Sequence, residues 1–141
     1  MTDVVRAGQT PVSAVVSDEA VTVAARATLA EAARLLVEAE VGLVVVGEPG
    51  GRPTGVVSER DIVHAVADGR NPATTRVDEV AHTGLAWCDA TATVTEVAGE
   101  MMNHWVRHLL VEEDGRFLGV VSARDLLGVY VSADQADDGT G

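Results

Sequence analysis

The chain has 141 residues, 47% of them hydrophobic and 23% charged, enough for one compact domain or two small halves sharing a core, in an ordinary globular composition. Its net charge of -12 repels polyanions, which excludes nucleic acid or an anionic membrane as a partner held by a diffuse field. A small anionic ligand is not excluded, because that field is screened over about 8 Å at physiological salt and local cations and N–H groups can outweigh it.

Aromatics make up only 3%, so the core is expected from Val, Leu, Ala and Ile. The single cysteine, Cys88, has no internal disulfide partner, which fits a reducing compartment. The N-terminus lacks a charged region followed by an apolar stretch. The longest apolar run, Val41–Val46, is interrupted by Gly42 and falls far short of the ~20 residues a membrane helix needs. The expected location is cytoplasmic.

In chain order, residues before Thr10 carry no pattern and are expected to fray. Thr10-Pro-Val-Ser-Ala-Val-Val16 predicts a short helix with Thr10 as N-cap and Pro11 at the first helical position. The polar Ser17-Asp-Glu-Ala20 leads into a short strand at Val21–Val23. Thr28-Leu-Ala-Glu31 has the form of a capping box, and Leu29, Ala32, Ala33, Leu36 and Val37 then share one helical face. Two strands follow, Leu43–Val46 and Thr54–Val57, joined by a Gly/Pro-rich turn at 48–53 that signals a hairpin. A helix from Glu59 to Ala67 closes this half, and Asp68-Gly-Arg-Asn-Pro72 interrupts the pattern.

The same order then returns. Thr75–Ala81 matches Thr10–Val16, Ala86–Cys88 matches the first strand, and Thr93-Val-Thr-Glu96 repeats the capping signal, all at an offset of 65 residues. The helix it opens is expected to reach about Asn103, with Gly99 weakening it by roughly 1 kcal/mol relative to Ala. Strands at His108–Val111 and Phe117–Val121 flank a turn one residue shorter than its counterpart. The closing stretch Gly55-Val-Val-Ser-Glu-Arg-Asp61 recurs as Gly119-Val-Val-Ser-Ala-Arg-Asp125, each copy a strand running into a helix, the second helix expected to end near Val129. Self-similarity of this kind governs the reading of the whole chain. The repeats are taken as residues 10–70 and 75–132, with 133–141 a disordered acidic tail.

Two such units, each closing on Gly-Val-Val-Ser-x-Arg-Asp, resemble the CBS-domain family in its tandem-pair form. That resemblance implies an α+β fold of two pseudo-twofold-related β-α-β-β-α repeats with small mixed sheets, two clefts between the repeats, and pairing of modules into a homodimer. It implies a regulatory module, not an enzyme, that binds an adenosine-containing ligand (AMP, ADP, ATP, S-adenosylmethionine, sometimes NAD) and signals to an effector protein. No cofactor is required.

The resemblance also assigns candidate ligand contacts. Asp61 and Asp125 match the family's ribose acceptors, and a carboxylate, acceptor-only, suits a diol donating two hydrogen bonds. Ser58 and Ser122 match phosphate contacts where a helix begins, with Arg60 and Arg124 beside them. Adenine is expected near the first strand of each half, at Ala20, Val21 and Thr22 and at Leu85, Ala86 and Trp87. The halves differ: Arg107-His108 precedes a strand where the first half has Gly42-Leu43, which suggests one cleft tuned to a phosphate tail and the other apolar, weaker or empty. Which Asp shares a site with Arg107 and His108 is left open.

Other readings stand beside this one. Ser58…Asp61 and Ser122…Asp125 have the form of capping boxes with Asp for Glu, so a ligand-free interaction or assembly module accounts for the same residues. His104 and His108 have a helical metal-ligand spacing, but the second falls on a strand; with His64, His82 and Cys88 scattered elsewhere, a metal or redox sensor is the third reading. Cys88 reads as a small apolar packing residue, Trp87 and Trp105 as core or interface, and Met101-Met102 as packing. No catalytic motif recommends an enzyme.

Overall fold

The structure, a computed structural model, describes residues 3–16 and 20–140. Its elements run α1 (Asp3–Gly8), a 3-10 turn (Val12–Ala14), β1 (Thr22–Val23), α2 (Leu29–Ala39), β2 (Leu43–Val46), β3 (Gly55–Ser58), α3 (Glu59–Ala67), a second 3-10 turn (Val77–Glu79), β4 (Trp87–Asp89), α4 (Val94–His104), β5 (His108–Glu113), β6 (Arg116–Ser122) and α5 (Ala123–Thr140). The expected polar lead-in at 17–19 lies outside the described residues. The chain forms two compact units, a central one of Glu19–Leu85 and a flanking one that joins Met1–Asp18 to Ala86–Gly141.

In the central unit, β1 pairs parallel with β2, and β2 antiparallel with β3. The expected capping box starts α2: Thr28 Oγ1 accepts from the Glu31 N–H at 3.2 Å, and Glu31 Oε2 accepts from the Thr28 N–H at 3.4 Å. The apolar face buries Leu29, Ala32 and Leu36 against Val23, Val44, Val46 and Val57 of the sheet. Val37, expected on that face, is exposed, because eight helical steps carry it roughly 80° around from Leu29.

The flanking unit repeats this architecture, with sheet order β4-β5-β6 and a core of Val94, Val97, Met101, Leu109, Val111, Val121 and Leu126. Thr93 caps α4 through its Oγ1, which accepts from the Glu96 N–H at 3.2 Å. Glu96 meets the Thr93 hydroxyl instead of its backbone, so the second box is half of the first. Asp114 (φ 52) and Gly115 (φ 79) turn β5 into β6, two positive-φ residues in the manner of a type I′ hairpin. α4 reaches His104, and Trp105 ends it in the left-handed region.

Each core is completed by the turn that the repeat pattern assigns to the other half. Val12, fully buried, joins the flanking core. Its N–H donates to the Ala92 carbonyl at 2.7 Å, and the Val94 N–H to the Thr10 carbonyl at 2.9 Å. Val77, equally buried, joins the central core, with its N–H on the Ala27 carbonyl at 2.8 Å and the Leu29 N–H on the Thr75 carbonyl at 2.9 Å. Burying one such Val stabilises by about 1.5–3 kcal/mol. Both segments are single 3-10 turns rather than the helices expected. Pro11, not Thr10, holds the N-cap position, with no side-chain cap bond, because Thr10 and Pro11 are engaged with the chain at 93–94.

The two chain ends also differ from expectation. Residues 3–8 form α1, which packs on α5 and buries Ala7. The backbone of α5 continues past Val129 through Thr140, across most of the segment expected as a disordered tail; its Ala- and Gln-containing sequence tolerates helix once the first turns are anchored on the core.

Candidate functional site

In each unit, the start of the first two strands and the end of the third meet at one end of the sheet. For the central unit, Leu43 opposes Ser58 across β2 and β3, the Val45 N–H donates to the Val21 carbonyl at 2.8 Å, and the Glu59 N–H to the Gly42 carbonyl at 3.1 Å. Ala20, Val21, Thr22, Ser58, Arg60 and Asp61 are thereby gathered at that end. In the flanking unit His108 opposes Ser122, with the Leu110 N–H on the Ala86 carbonyl at 2.9 Å and the Ala123 N–H on the Arg107 carbonyl at 2.8 Å. Ala86, Trp87, Arg107, His108, Ser122, Arg124 and Asp125 are gathered there. Within its own unit, the Arg107-His108 pair thus belongs with Asp125.

The junctions themselves are complete capping boxes. Ser58 Oγ accepts from the Asp61 N–H at 3.2 Å, while Asp61 Oδ2 accepts from the Ser58 N–H at 2.7 Å. The other copy repeats this at 3.0 Å and 2.8 Å through Ser122 and Asp125. Each Asp is therefore locked, half-buried, at the start of a helix, with Oδ1 turned away from the cap. The caps and the Gly42 and Arg107 carbonyls engage most of the N–H groups at each helix start, and the partial positive charge of the helix N-terminus remains at the same place. Arg60, Arg107 and Arg124 are exposed and make no ion pair with the described residues, so their charge is available to an anion.

The two copies diverge at Oδ1. In the central unit His82 Nε2 lies 2.7 Å from Asp61 Oδ1; a carboxylate only accepts, so the imidazole donates. His82 is brought there by its backbone, which exchanges hydrogen bonds with Val56 of β3 at 2.9 and 3.0 Å. Gly55 makes room for that approach: a Cβ there would stand 3.2 Å from Ala81 Cβ and 3.2 Å from the His82 carbonyl oxygen. Asp125 Oδ1 has no partner among the described residues. His82, named from the sequence only as one of several scattered histidines, is not among the expected ligand contacts. The signal was available in the repeat, since an offset of 65 sets His82 against Ser17.

The remaining candidates are placed as follows. The carbonyls of Val21 and Ala86, positions expected to offer main-chain groups to a base, already accept from the sheet. Leu85, half-buried, ends the central unit. Trp87 packs edge-on against Phe117, ring centroids 5.9 Å apart at 87°. Trp105 is 94% exposed, so it is not a core residue, and Met102 is exposed while Met101 is buried. Cys88 packs against the flanking core. Burial, then the negative charges of Asp89, Glu100 and Glu112, pushes its thiol up to about 11 from 9.0, which keeps it protonated and unreactive near neutrality. Hydrogen bonds from the Thr91 hydroxyl and N–H hold the Asp89 carboxyl below its usual value. His104 pairs with Glu100 at 3.1 Å on α4. No three His, Cys, Asp or Glu among the described residues group to hold a metal, and no helix there is long and apolar enough to cross a membrane.

Comparison with known proteins places this geometry. The family model described as "CBS domain" matches residues 12–68 and again 77–132. Hypoxic response protein 1 of Mycobacterium tuberculosis is 31% identical over 100 residues, 70% of this chain and 70% of that protein. A solved CBS domain protein from Pyrobaculum aerophilum, complexed with AMP, is 30% identical with a TM-score of 0.76, over 89% of this chain and 98% of the other. A structure of hypoxic response protein I with two coordinated zinc ions is 28% identical with a TM-score of 0.71, over 84% of this chain and 98% of that one. Two tandem matches on two three-stranded mixed sheets with their helices settle the fold class as α+β and the relationship with it: the chain belongs to the CBS-domain family and carries the domain twice.

Proposed function

We propose that this protein is a regulatory CBS pair that binds an adenosine-containing ligand of the AMP, ADP or ATP class without transforming it, and passes the binding state to an effector protein. The observation that carries the reading is the Ser122…Asp125 junction: a half-buried carboxylate, one oxygen open among the described residues beside a helix N-terminus, with exposed Arg124 next to it in the chain and exposed Arg107 tied to Ala123 by its carbonyl. A ribose diol donates to such an oxygen, and a phosphate is drawn by the positive end of the helix and by the arginines. The AMP-bound relative at 30% identity supports the ligand class. S-adenosylmethionine is a further member of that class. A homodimer, a cytoplasmic location and the repeat boundaries 10–70 and 75–132 belong to the same proposal.

A second reading has its own observation. Both Ser/Asp junctions close as capping boxes through bonds within the chain, as a ligand-free assembly module would require. A thermal-shift panel with AMP, ADP, ATP, S-adenosylmethionine and NAD separates the two. Ligand at 100 times its dissociation constant stabilises by about 2.7 kcal/mol; no shift with any of the five leaves the assembly module standing. Asp125→Asn sharpens the panel. Its amide oxygen keeps the bond from the Ser122 N–H, but its NH2 replaces the open acceptor, so the ligand shift is lost while the cap persists.

A further inference from the structure

The two Ser-x-Arg-Asp motifs of this chain match residue for residue at Ser, Arg and Asp, yet among the described residues only one of the two carboxylates has a second, internal partner. We propose that His82 is a built-in occupant of the Asp61 acceptor, so that the Ser58…Asp61 motif of the central unit is held in a self-satisfied state and the Ser122…Asp125 motif is the one that first takes an adenosine-type ligand. This rests on the nucleotide reading above and names what makes its two sites unequal.

Three observations converge on it. The first is geometric: His82 Nε2 stands 2.7 Å from Asp61 Oδ1, the oxygen left over after Oδ2 has accepted from the Ser58 N–H. A ribose hydroxyl donating to Oδ1 meets an N–H already donating there and an imidazole ring in its way.

The second is that the contact is built into the backbone. The chain at 81–82 lies on β3 through paired hydrogen bonds with Val56, and Gly55 is the residue that permits its approach. His82 is therefore delivered to the junction by main-chain geometry rather than by a freely chosen rotamer. The third is the contrast in exposure. The Asp61 side chain is 15% exposed and that of His82 68% exposed, so the imidazole can swing out to water while the carboxylate stays fixed by its cap. The arrangement closes a site without destroying it. A ligand, or any change that loosens the 81–82 segment, competes with one exposed imidazole for one fixed oxygen.

Isothermal titration of the full chain with AMP tests the assignment, comparing wild type, His82→Ala, Asp125→Asn and the double change Asp125→Asn with His82→Ala. Asp125→Asn removes the tighter phase. In that background, His82→Ala strengthens the remaining AMP binding by roughly two- to fivefold, the range one hydrogen bond to a carboxylate at the surface spans. His82→Gln, which retains an N–H donor, strengthens it less. Where Asp125→Asn does not fold, the single His82→Ala change gives the same answer as a rise in AMP bound per chain. AMP binding that His82→Ala leaves unchanged or weakens overturns this assignment alone. Absence of heat from AMP, ADP, ATP and S-adenosylmethionine in every variant overturns the nucleotide reading and the assignment with it.

Discussion

The central and flanking units share one strand-to-helix junction, down to the reciprocal Ser and Asp caps, and part company one atom further out. At Asp61 the second oxygen is engaged by His82; at Asp125 it is open among the described residues. The flanking unit sets Arg107-His108 beside its open carboxylate, where the central unit has Gly42-Leu43 beside its closed one. Duplication copied the part that holds the helix and left the atoms just beyond it free to diverge. A repeated motif is therefore better evidence of a repeated fold than of a repeated site.

Three changes press on that comparison beyond the ligand titrations. The largest effect is expected from Val12→Ala and Val77→Ala, each fully buried in a core that its own repeat does not supply. Each should cost about 2 kcal/mol in urea unfolding, from two lost methyl groups and the cavity left behind. Amide exchange tells the units apart: Val12→Ala should lower protection in α4 and Val77→Ala in α2. The reverse pattern would sink the exchanged arrangement.

A smaller effect is expected at the caps. Ser58→Ala and Ser122→Ala should each destabilise by about 1 kcal/mol, and equally, because the two caps have the same geometry. Unequal losses would mean that the likeness of the junctions is only formal.

The smallest effect concerns Cys88, which stands where the central unit has Val23. Its thiol titrates higher folded than unfolded, so its contribution to stability is fully present below pH 9 and is lost as pH rises towards 11. The full shift would correspond to about 2.7 kcal/mol, but the group is only half-buried and screened, so well under ~1 kcal/mol is expected. Wild type should lose that margin relative to Cys88→Ala between those pH values. An iodoacetamide rate with its inflection near 9.0 would place the thiol in water instead.

The local signals read from the residues held well. The Thr28 capping box, the strand Leu43–Val46 and the helix Glu59–Ala67 stand where their caps, β-branched run and Ser-x-x-Asp motif put them. All of these signals act within a few residues. The non-local ones were not legible. Nothing at Val12 says that it completes the core holding Val94 rather than the one holding Leu29, because the same apolar residue in the same short turn satisfies either. His82 is hidden for a related reason. Its partner lies 21 residues away, and aligning the repeats draws attention to what recurs, whereas His82 has no counterpart. Val37 was expected to be covered by apolar character alone and is exposed; of the two places read for Trp105, core or interface, its exposure rules out the core.

The exchanged turns bear on how the chain comes off the ribosome. The central unit is continuous and has all its core residues, Val77 included, once Leu85 has emerged. The flanking unit joins residues that precede the central unit in the chain to residues that follow it. Val12 must wait, uncovered, until Val94 and the strands behind it exist. Closing so long a loop is slow, although its entropic cost grows only logarithmically with length. Synthesis at about 5–20 residues per second therefore imposes an order: the central unit can fold while the flanking unit still waits for its second segment.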